Sequence, residues 1–436
     1  MLSVYRNMFR ISDLRKKILF TLMIFGVYRL GASIPVPGVD LDQVQAFADQ
    51  AEAGGVLGLL SLFSGGALEQ LSVLGLGIMP YITASIIMQL LAVVIPRLQT
   101  LQDEGESGRK VITQWTRYLT VVLALLQSTG LTFLFHNGGG AAAGNTGGLT
   151  NGLDLIPDYT TGRVILIVMT FTAGTAFVMW LGELITQRGI GNGMSLIIFV
   201  NIISQIPAQF AIIREDPNSS PLRFWTIMAM FLALVVGIIF IDQGQRRIPI
   251  SFSKRVRGRR VLGGQSTYIP LKVNTAGVIP VIFASSVLFF PALISTSIPW
   301  QGFRDFLNNN LLNSTTPWYI VTFFLLIVFF TYFYTAIQFD PVRQADQIQR
   351  QGGFIPGIRP GRQTAEHLEH ILSRITLPGS LYLASVAVLP NILAAFWDMQ
   401  IGFSGISLLI VVGVALETMR QIESQLMMRN YEGFLS

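Results

Sequence analysis

Leu76-Gly77-Ile78-Met79-Pro80-Tyr81-Ile82-Thr83-Ala84-Ser85 is echoed two hundred positions later by Ala276-Gly277-Val278-Ile279-Pro280-Val281-Ile282-Phe283-Ala284-Ser285. Gly, Pro, Ile, Ala and Ser coincide at 77/277, 80/280, 82/282, 84/284 and 85/285. Each copy stands just inside a long apolar segment, and the two halves of the chain are similar in length. An internally duplicated membrane protein produces such an echo, because repeated bundles of spans keep their turn residues in register. The general fondness of membrane helices for Gly and Pro would give the same letters without duplication.

The bulk composition supports the membrane half of that reading. Of 436 residues, 51% are hydrophobic and only 12% charged, too few charges to cover a water-soluble protein of this size. Mean hydropathy is +0.56. Apolar runs of about 20 residues match the hydrocarbon core of a bilayer, and backbone groups in lipid must be satisfied within the segment, so the spans are helices. No Cys is present, which removes disulfides, thiolate metal sites and thiol chemistry. The net charge of +6 suits a nucleic-acid partner in principle, but in a membrane chain the location of charge decides more than its sum. Lys17 to Ile34 runs into Pro35-Val36-Pro37-Gly38 without a small-residue cleavage site, so a cleavable signal is not expected.

Ten spans are expected, at about 18–34, 71–95, 116–135, 164–185, 194–213, 224–241, 273–294, 318–339, 377–396 and 401–419. Met1 to Lys17 reads as a basic surface helix ahead of the first span that holds the N-terminus in the cytosol. Alternate loops should then be basic. Of the 30 Lys and Arg residues, all but Arg29, Arg163, Arg214, Arg223 and Arg304 fall on the cytosolic side of this topology, a split that a wrong span count would scramble. Both termini are therefore expected in the cytosol, with two halves at 1–213 and 214–436. External loops are acidic or neutral, and the stretch from Gly138 to Gly152 is a Gly/Ala/Asn-rich linker.

Between the first two spans lies Gly55-Val56-Leu57-Gly58-Leu59-Leu60-Ser61-Leu62-Phe63-Ser64, too short to cross, then Gly65-Gly66. A short apolar helix in this position either dips back into the bundle with the glycines as a hinge or lies flat at the interface.

No Walker loop, zinc-protease motif or nucleophile elbow occurs. His367 and His370 sit i, i+3 beside Glu366 and Glu369, the pattern of a solvated charged face, and no metal site is expected. Span centres are nearly free of ionisable groups, whereas ion-coupled permeases place charges at mid-membrane. Glu183, Asp242 and Glu417 lie toward cytosolic span ends and Arg29 near an outer end, where snorkelling or capping is the plain explanation. Ser85, Gln89, Gln127, Ser128, Ser285 and Ser286 offer close helix packing, or an interface whose polar contacts can be exchanged. Two cytosolic loops, 242–272 and 340–373, stand out. The first carries Arg246, Arg247, Lys254, Arg255 and Arg257, which suit topology and anionic lipid or a phosphate-rich partner such as ribosomal RNA.

Gly77-Ile78-Met79-Pro80-Tyr81-Ile82, Arg188-Gly189-Ile190-Gly191-Asn192-Gly193, Phe354-Ile355-Pro356-Gly357-Ile358-Arg359-Pro360-Gly361 and Tyr431-Glu432-Gly433-Phe434-Leu435 resemble the SecY family, the central subunits of bacterial protein-conducting channels. The resemblance runs the length of the chain. It implies an all-α membrane protein whose ten helices form two inverted five-helix halves around an hourglass pore, in the bacterial cytoplasmic membrane. It implies a waist ring of Ile78, Ile82, Met194, Ile198, Ile282 and Ile410, with Met at 194 replacing the family's usual Ile. The pairs 78/82 and 194/198 share a helical face. It further implies a plug at about 55–70 that includes Leu57, Leu60, Phe63, Ser64, Gly65 and Gly66, and a lateral gate at Ser85, Gln89, Gln127, Ser285 and Ser286. Arg359, with Arg246, Arg247, Lys254, Arg255 and Arg257, would dock the ribosome or the SecA ATPase. SecE and SecG are the implied membrane partners; signal peptides and nascent polypeptides are the implied cargo. No cofactor and no enzymatic activity follow from it. The competing classes are a small-solute permease of inverted-repeat design, which the large basic loops and uncharged span centres oppose, and an intramembrane enzyme, for which no paired catalytic groups lie within spans.

Overall fold

The computed structural model describes residues 11–40, 42–44, 63–137, 155–156, 159–215, 221–252, 255–257, 260–262, 266–297, 302, 306–307, 310, 315–397 and 404–432. Each of the ten expected spans falls on a helix. The N-terminal half holds α1 (Ser12–Ala32), α2 (Met79–Val94), α3 (Pro96–Asp103), α4 (Glu106–Asn137), α5 (Thr161–Arg188) and α6 (Gly193–Glu215). The C-terminal half holds α7 (Pro221–Gln243), α8 (Ile279–Ser297), α9 (Pro317–Gln338), α10 (Pro341–Arg350), α11 (Arg362–Trp397) and α12 (Gly405–Glu432). Among the described residues six helices are long and apolar enough to cross a membrane, or seven if α2 and α3 count as one broken span.

Three boundaries differ from expectation for identifiable reasons. The N-terminal basic segment was expected to form a separate surface helix up to Lys17, but α1 starts at Ser12 and continues unbroken into the span; residues 1–10 lie outside the described part. The second span was expected from Leu71, yet α2 starts at Met79. Residues 71–78 are turns because Leu71 and Gly77 take positive φ, and Ser72 forms a bridge with Pro35. At its far end Pro96 forces Ile95 into extended backbone, and the chain turns by 106° into α3. The third difference is that His367 and His370 belong to α11, which begins at Arg362, well ahead of its expected span.

Loop 242–272 is not irregular. β1 (Gln245–Phe252) pairs antiparallel with β4 (Ser266–Lys272), and β2 (Arg255–Arg257) with β3 (Arg260–Leu262). Charge dominated the sequence reading there and hid the alternation that buries Ile248 and Ile250 and exposes Arg247 and Pro249. The short strand β5 (Gly353–Phe354) extends the sheet through Ser251↔Phe354 and Phe252↔Gly353. Ile248, Ile250, Leu271, Ile348, Ile355 and Leu368 form a core of their own. The two loops are therefore one folded unit.

Within the N-terminal half α1 packs on α5, α2 on α4, α4 on α5, and α5 on α6. In the C-terminal half α7 packs on α12, α8 on α9, α9 on α11, and α11 on α12. Among the described residues only one pair, α6 with α12, makes broad contact between the halves. One large apolar cluster crosses that seam, with Ile78, Ile198, Ile282, Ile410 and Phe63 all in it.

Candidate functional site

The two sequence echoes build the same local structure. Gly77 and Gly277 take φ of +56° and +62°, a region in which glycine carries no Cβ penalty. Each is followed by the last residue before a helix, with Ile82 N bonding to Ile78 O at 3.1 Å and Ile282 N to Val278 O at 3.3 Å. These turns aim the first apolar side chains of α2 and α8 inward. Ile78 is 1% exposed, Ile198 5%, Ile282 6% and Ile410 1%. Ile82 and Met194 are half-buried and pack against the same cluster. All six expected ring residues thus meet in one apolar body supplied by α2, the turn before it, α6, α8 and α12.

Of the expected plug residues, Leu57 and Leu60 lie outside the described part. Phe63 and Ser64 are helical and buried, and Phe63 joins the cluster that holds the ring residues. Gly65 and Gly66 follow with φ of +69° and +82°. Three side chains from two helices fasten this end. Asn201 Nδ2 of α6 donates to the Phe63 carbonyl at 2.7 Å and to Tyr28 Oη at 2.9 Å. Tyr28 Oη, on α1, donates to the Ser64 carbonyl at 3.2 Å, and Arg29 Nη1 to the Gly65 carbonyl at 3.0 Å. Tyr28 and Asn201 are both fully buried. The sequence reading missed Asn201 and gave Arg29 a snorkelling or capping role; the structure shows it donating to the Gly65 carbonyl. The available signal was that a lone amide in an apolar span must find partners. Its partners lie 138 and 173 residues away in the chain, beyond what spacing can reveal.

Of the polar residues expected at a lateral gate, Ser85, Gln89, Ser285 and Ser286 bond along their own helices. Ser285 and Ser286 hydroxyls donate to the Ile282 carbonyl at 2.8 Å, and Gln89 Nε2 donates to Ser85 Oγ at 3.4 Å. Gln127 is half-buried, and its buried neighbour Ser128 lies 3.5 Å from Thr172 Oγ1. Glu183 and Asp242, given a snorkelling or capping role from sequence, are instead ion-paired. Arg117 holds Glu183 through two bonds of 2.6 and 2.7 Å, and Arg420 holds Asp242 at 2.9 Å.

On this joined unit Arg246 and Arg247 are exposed on β1, with the Arg247 guanidinium 4.8 Å over the Tyr268 ring. Arg255 and Arg257 lie in β2, and Lys254 lies outside the described part. Arg359 is exposed at a turn between Gly357 and Gly361, both at positive φ. Ile355 and Ile358 root that turn in the sheet's core, and Thr364 Oγ1 bonds to the Arg359 carbonyl at 3.0 Å. Among the described residues no cluster of His, Asp or Glu could hold a metal ion.

Comparison with known proteins gives one consistent answer. The SecY family model matches residues 72–419. The protein translocase subunit SecY of Streptomyces griseus is 53% identical over 441 residues, and that of Mycobacterium tuberculosis 50% over 451, each alignment covering the whole of both chains. The solved structure of a protein conducting channel aligns with a TM-score of 0.59 at 16% identity, covering 94% of this chain and 92% of that one. Sec61 in the canine ribosome–channel complex from the endoplasmic reticulum aligns at 0.56 and 15% identity, with the same coverage. With a matching fold and full-length relatives at half identity or better, this chain belongs to the SecY family.

Proposed function

We propose that this chain is a protein-conducting channel that passes secretory polypeptides across the bacterial cytoplasmic membrane and releases apolar segments sideways into it. The observation that carries the reading is the apolar body at Ile78, Ile82, Met194, Ile198, Ile282 and Ile410, contributed from both halves and adjoining a helix end at Phe63. A narrow apolar ring sheds water and blocks ions, yet closes around an extended chain of any sequence without binding it tightly. A charged ring would trap cargo. In this reading the helix ending at Ser64 is the plug, and the halves 1–213 and 214–436 part along the α2/α8 side while α6 and α12 hold the opposite seam. Signal peptides and other apolar segments of the nascent polypeptide leave through that side, driven by about 0.8 kcal/mol per buried CH₂. Ser85, Gln89, Gln127, Ser285 and Ser286 lie along the opening.

The chain makes and breaks no bond; energy comes from partners. The ribosome or SecA docks on the joined cytosolic unit through Arg359 and the basic residues of β1 and β2, where ribosomal RNA or anionic lipid supplies phosphate. SecE and SecG complete the complex within the membrane, and both termini face the cytosol.

Reconstituted vesicles test this directly. Energy-dependent protection of a secretory protein is expected, and saturable uptake of a small solute without protection would replace the channel with a permease. A Cys introduced at Ile82 should crosslink to a Cys in an arrested, half-translocated chain. Arg359→Glu should reduce translocation several-fold while the amount of folded channel in the membrane stays unchanged; normal translocation would remove Arg359 from the docking surface.

A further inference from the structure

The grip on residues 63–65 has a defined direction. Phe63 and Ser64 are the last helical residues before two glycines at positive φ, so no further helical turn follows to hold their carbonyls, and the Ser64 carbonyl also accepts from Ala67 N at 3.4 Å. A carbonyl only accepts. The Phe63 carbonyl therefore fixes the Asn201 amide with Nδ2 toward it, and the second Nδ2 hydrogen goes to Tyr28 Oη. That leaves the phenol hydrogen for the Ser64 carbonyl. Both donors of one amide are thus committed, directly or through Tyr28, to two consecutive carbonyls. The fit is close as well as polar: a Cβ at Gly65 would stand 2.7 Å from Asn201 Oδ1 and 3.1 Å from Asn201 Cα. Asn201 Oδ1 itself has no hydrogen-bond partner among the described residues.

From this geometry, and resting on the channel reading above, we infer that Asn201 is a specificity-determining residue: it latches the plug's end to α1 and α6 and so sets how strong a signal a substrate must carry. Opening has to break the Asn201 and Tyr28 bonds together, since each orients the other. A substrate can shift a closed/open equilibrium only by its differential affinity for the open form. A tighter latch therefore excludes weak signals, and a looser one admits them. Nothing about the pore's width or polarity enters; Asn201 acts on the threshold.

The test compares wild type, Asn201→Leu, Tyr28→Phe and the double variant in vesicles. Two quantities are read: ion leak, and the ratio of defective-signal to intact-signal preprotein translocated. Loss of one or two hydrogen bonds of ordinary strength predicts a ratio raised about 10-fold by Asn201→Leu and about threefold by Tyr28→Phe. The double variant should match Asn201→Leu alone, because the phenol has no oriented amide left to relay. A merely structural role would lower both substrates together and leave the ratio fixed. Ile82→Asn serves as the leaking control. A wild-type ratio and leak in both single variants, beside a leaking Ile82→Asn, would overturn the latch and leave the channel standing. Wild-type vesicles that protect no secretory chain would overturn the channel reading, and the latch with it. Should Asn201→Leu fail to accumulate, Tyr28→Phe decides, since it deletes one oxygen and no volume from the core.

Discussion

Gly77 and Gly277 share a left-handed backbone, and each stands two residues ahead of a helix, yet their surroundings differ. A Cβ at Gly77 would lie 3.2 Å from the Phe63 carbonyl and from Ser64 Cα, whereas no described atom lies within 4 Å of one at Gly277. The repeated sequence thus builds the same turn twice, and among the described residues only the N-terminal copy has a segment pressed against it. The turn recurs in both halves; the seat for Phe63 and Ser64 is an addition to one of them. Each prediction below sets a feature of one half against one in the other.

The largest difference is expected within the helices that these turns launch. Ile282 is 6% exposed and Ile82 only half-buried, though they are equivalent in the repeat. Ile282→Asn removes buried apolar contacts and places an amide where it lacks partners, costing about 3 kcal/mol; Ile82→Asn should cost about 1 kcal/mol. Thermal unfolding in detergent reads that order. Both variants should nevertheless raise ion leak, because the proposed waist includes both positions. Equal leak with unequal stability would separate sealing from packing, and no leak in either would remove the pair from the waist.

The turns themselves come next. Ala at either glycine adopts left-handed backbone at about 1–2 kcal/mol. Only Gly77→Ala must also displace Phe63 and Ser64. It should therefore leak and lose more stability than Gly277→Ala, which should pay backbone strain alone and keep its seal. Matching behaviour of the two would mean that the contact at Gly77 carries no sealing role.

What could be read in advance follows from which forces act locally. Spans were legible because each must present an apolar surface to lipid along its own length, so the expected segments fall on helices in the expected order. The turns at 71–78 and the sheet at 245–272 were not. In the first, a backbone reversal at Gly77 overrides an apolar run that reads as helix. In the second, Arg246 and Arg247 mask the alternation of Ile248 and Ile250. The expected ring residues came only from family resemblance, since an apolar residue facing a pore and one facing a neighbouring helix look alike in sequence. The Tyr28–Asn201 pair needed the fold, as nothing in α1 announces a partner in α6.

The smallest expected difference lies between the two ion pairs that tie span ends together, α4 to α5 and α7 to α12. Arg117 grips Glu183 with two parallel bonds, while Arg420 reaches Asp242 with one nitrogen that also touches the Asp242 carbonyl at 3.2 Å. The carboxylates are comparably shielded, with side chains 17% and 18% exposed, and the arginines lie 43% and 38% open to solvent. Exposure and salt screening hold both pairs near the modest value of surface bridges, but two-point geometry favours the first. Arg117→Gln should cost about 1 kcal/mol and Arg420→Gln less, because Gln can still donate to the backbone carbonyl there. Much of the loss at Arg117 is a carboxylate left shielded and unpaired, so adding Glu183→Gln should recover part of it. High salt should narrow the gap between the two single variants. If the double variant is instead no better than Arg117→Gln, the pair acts through its packing across α4 and α5 rather than through its charge.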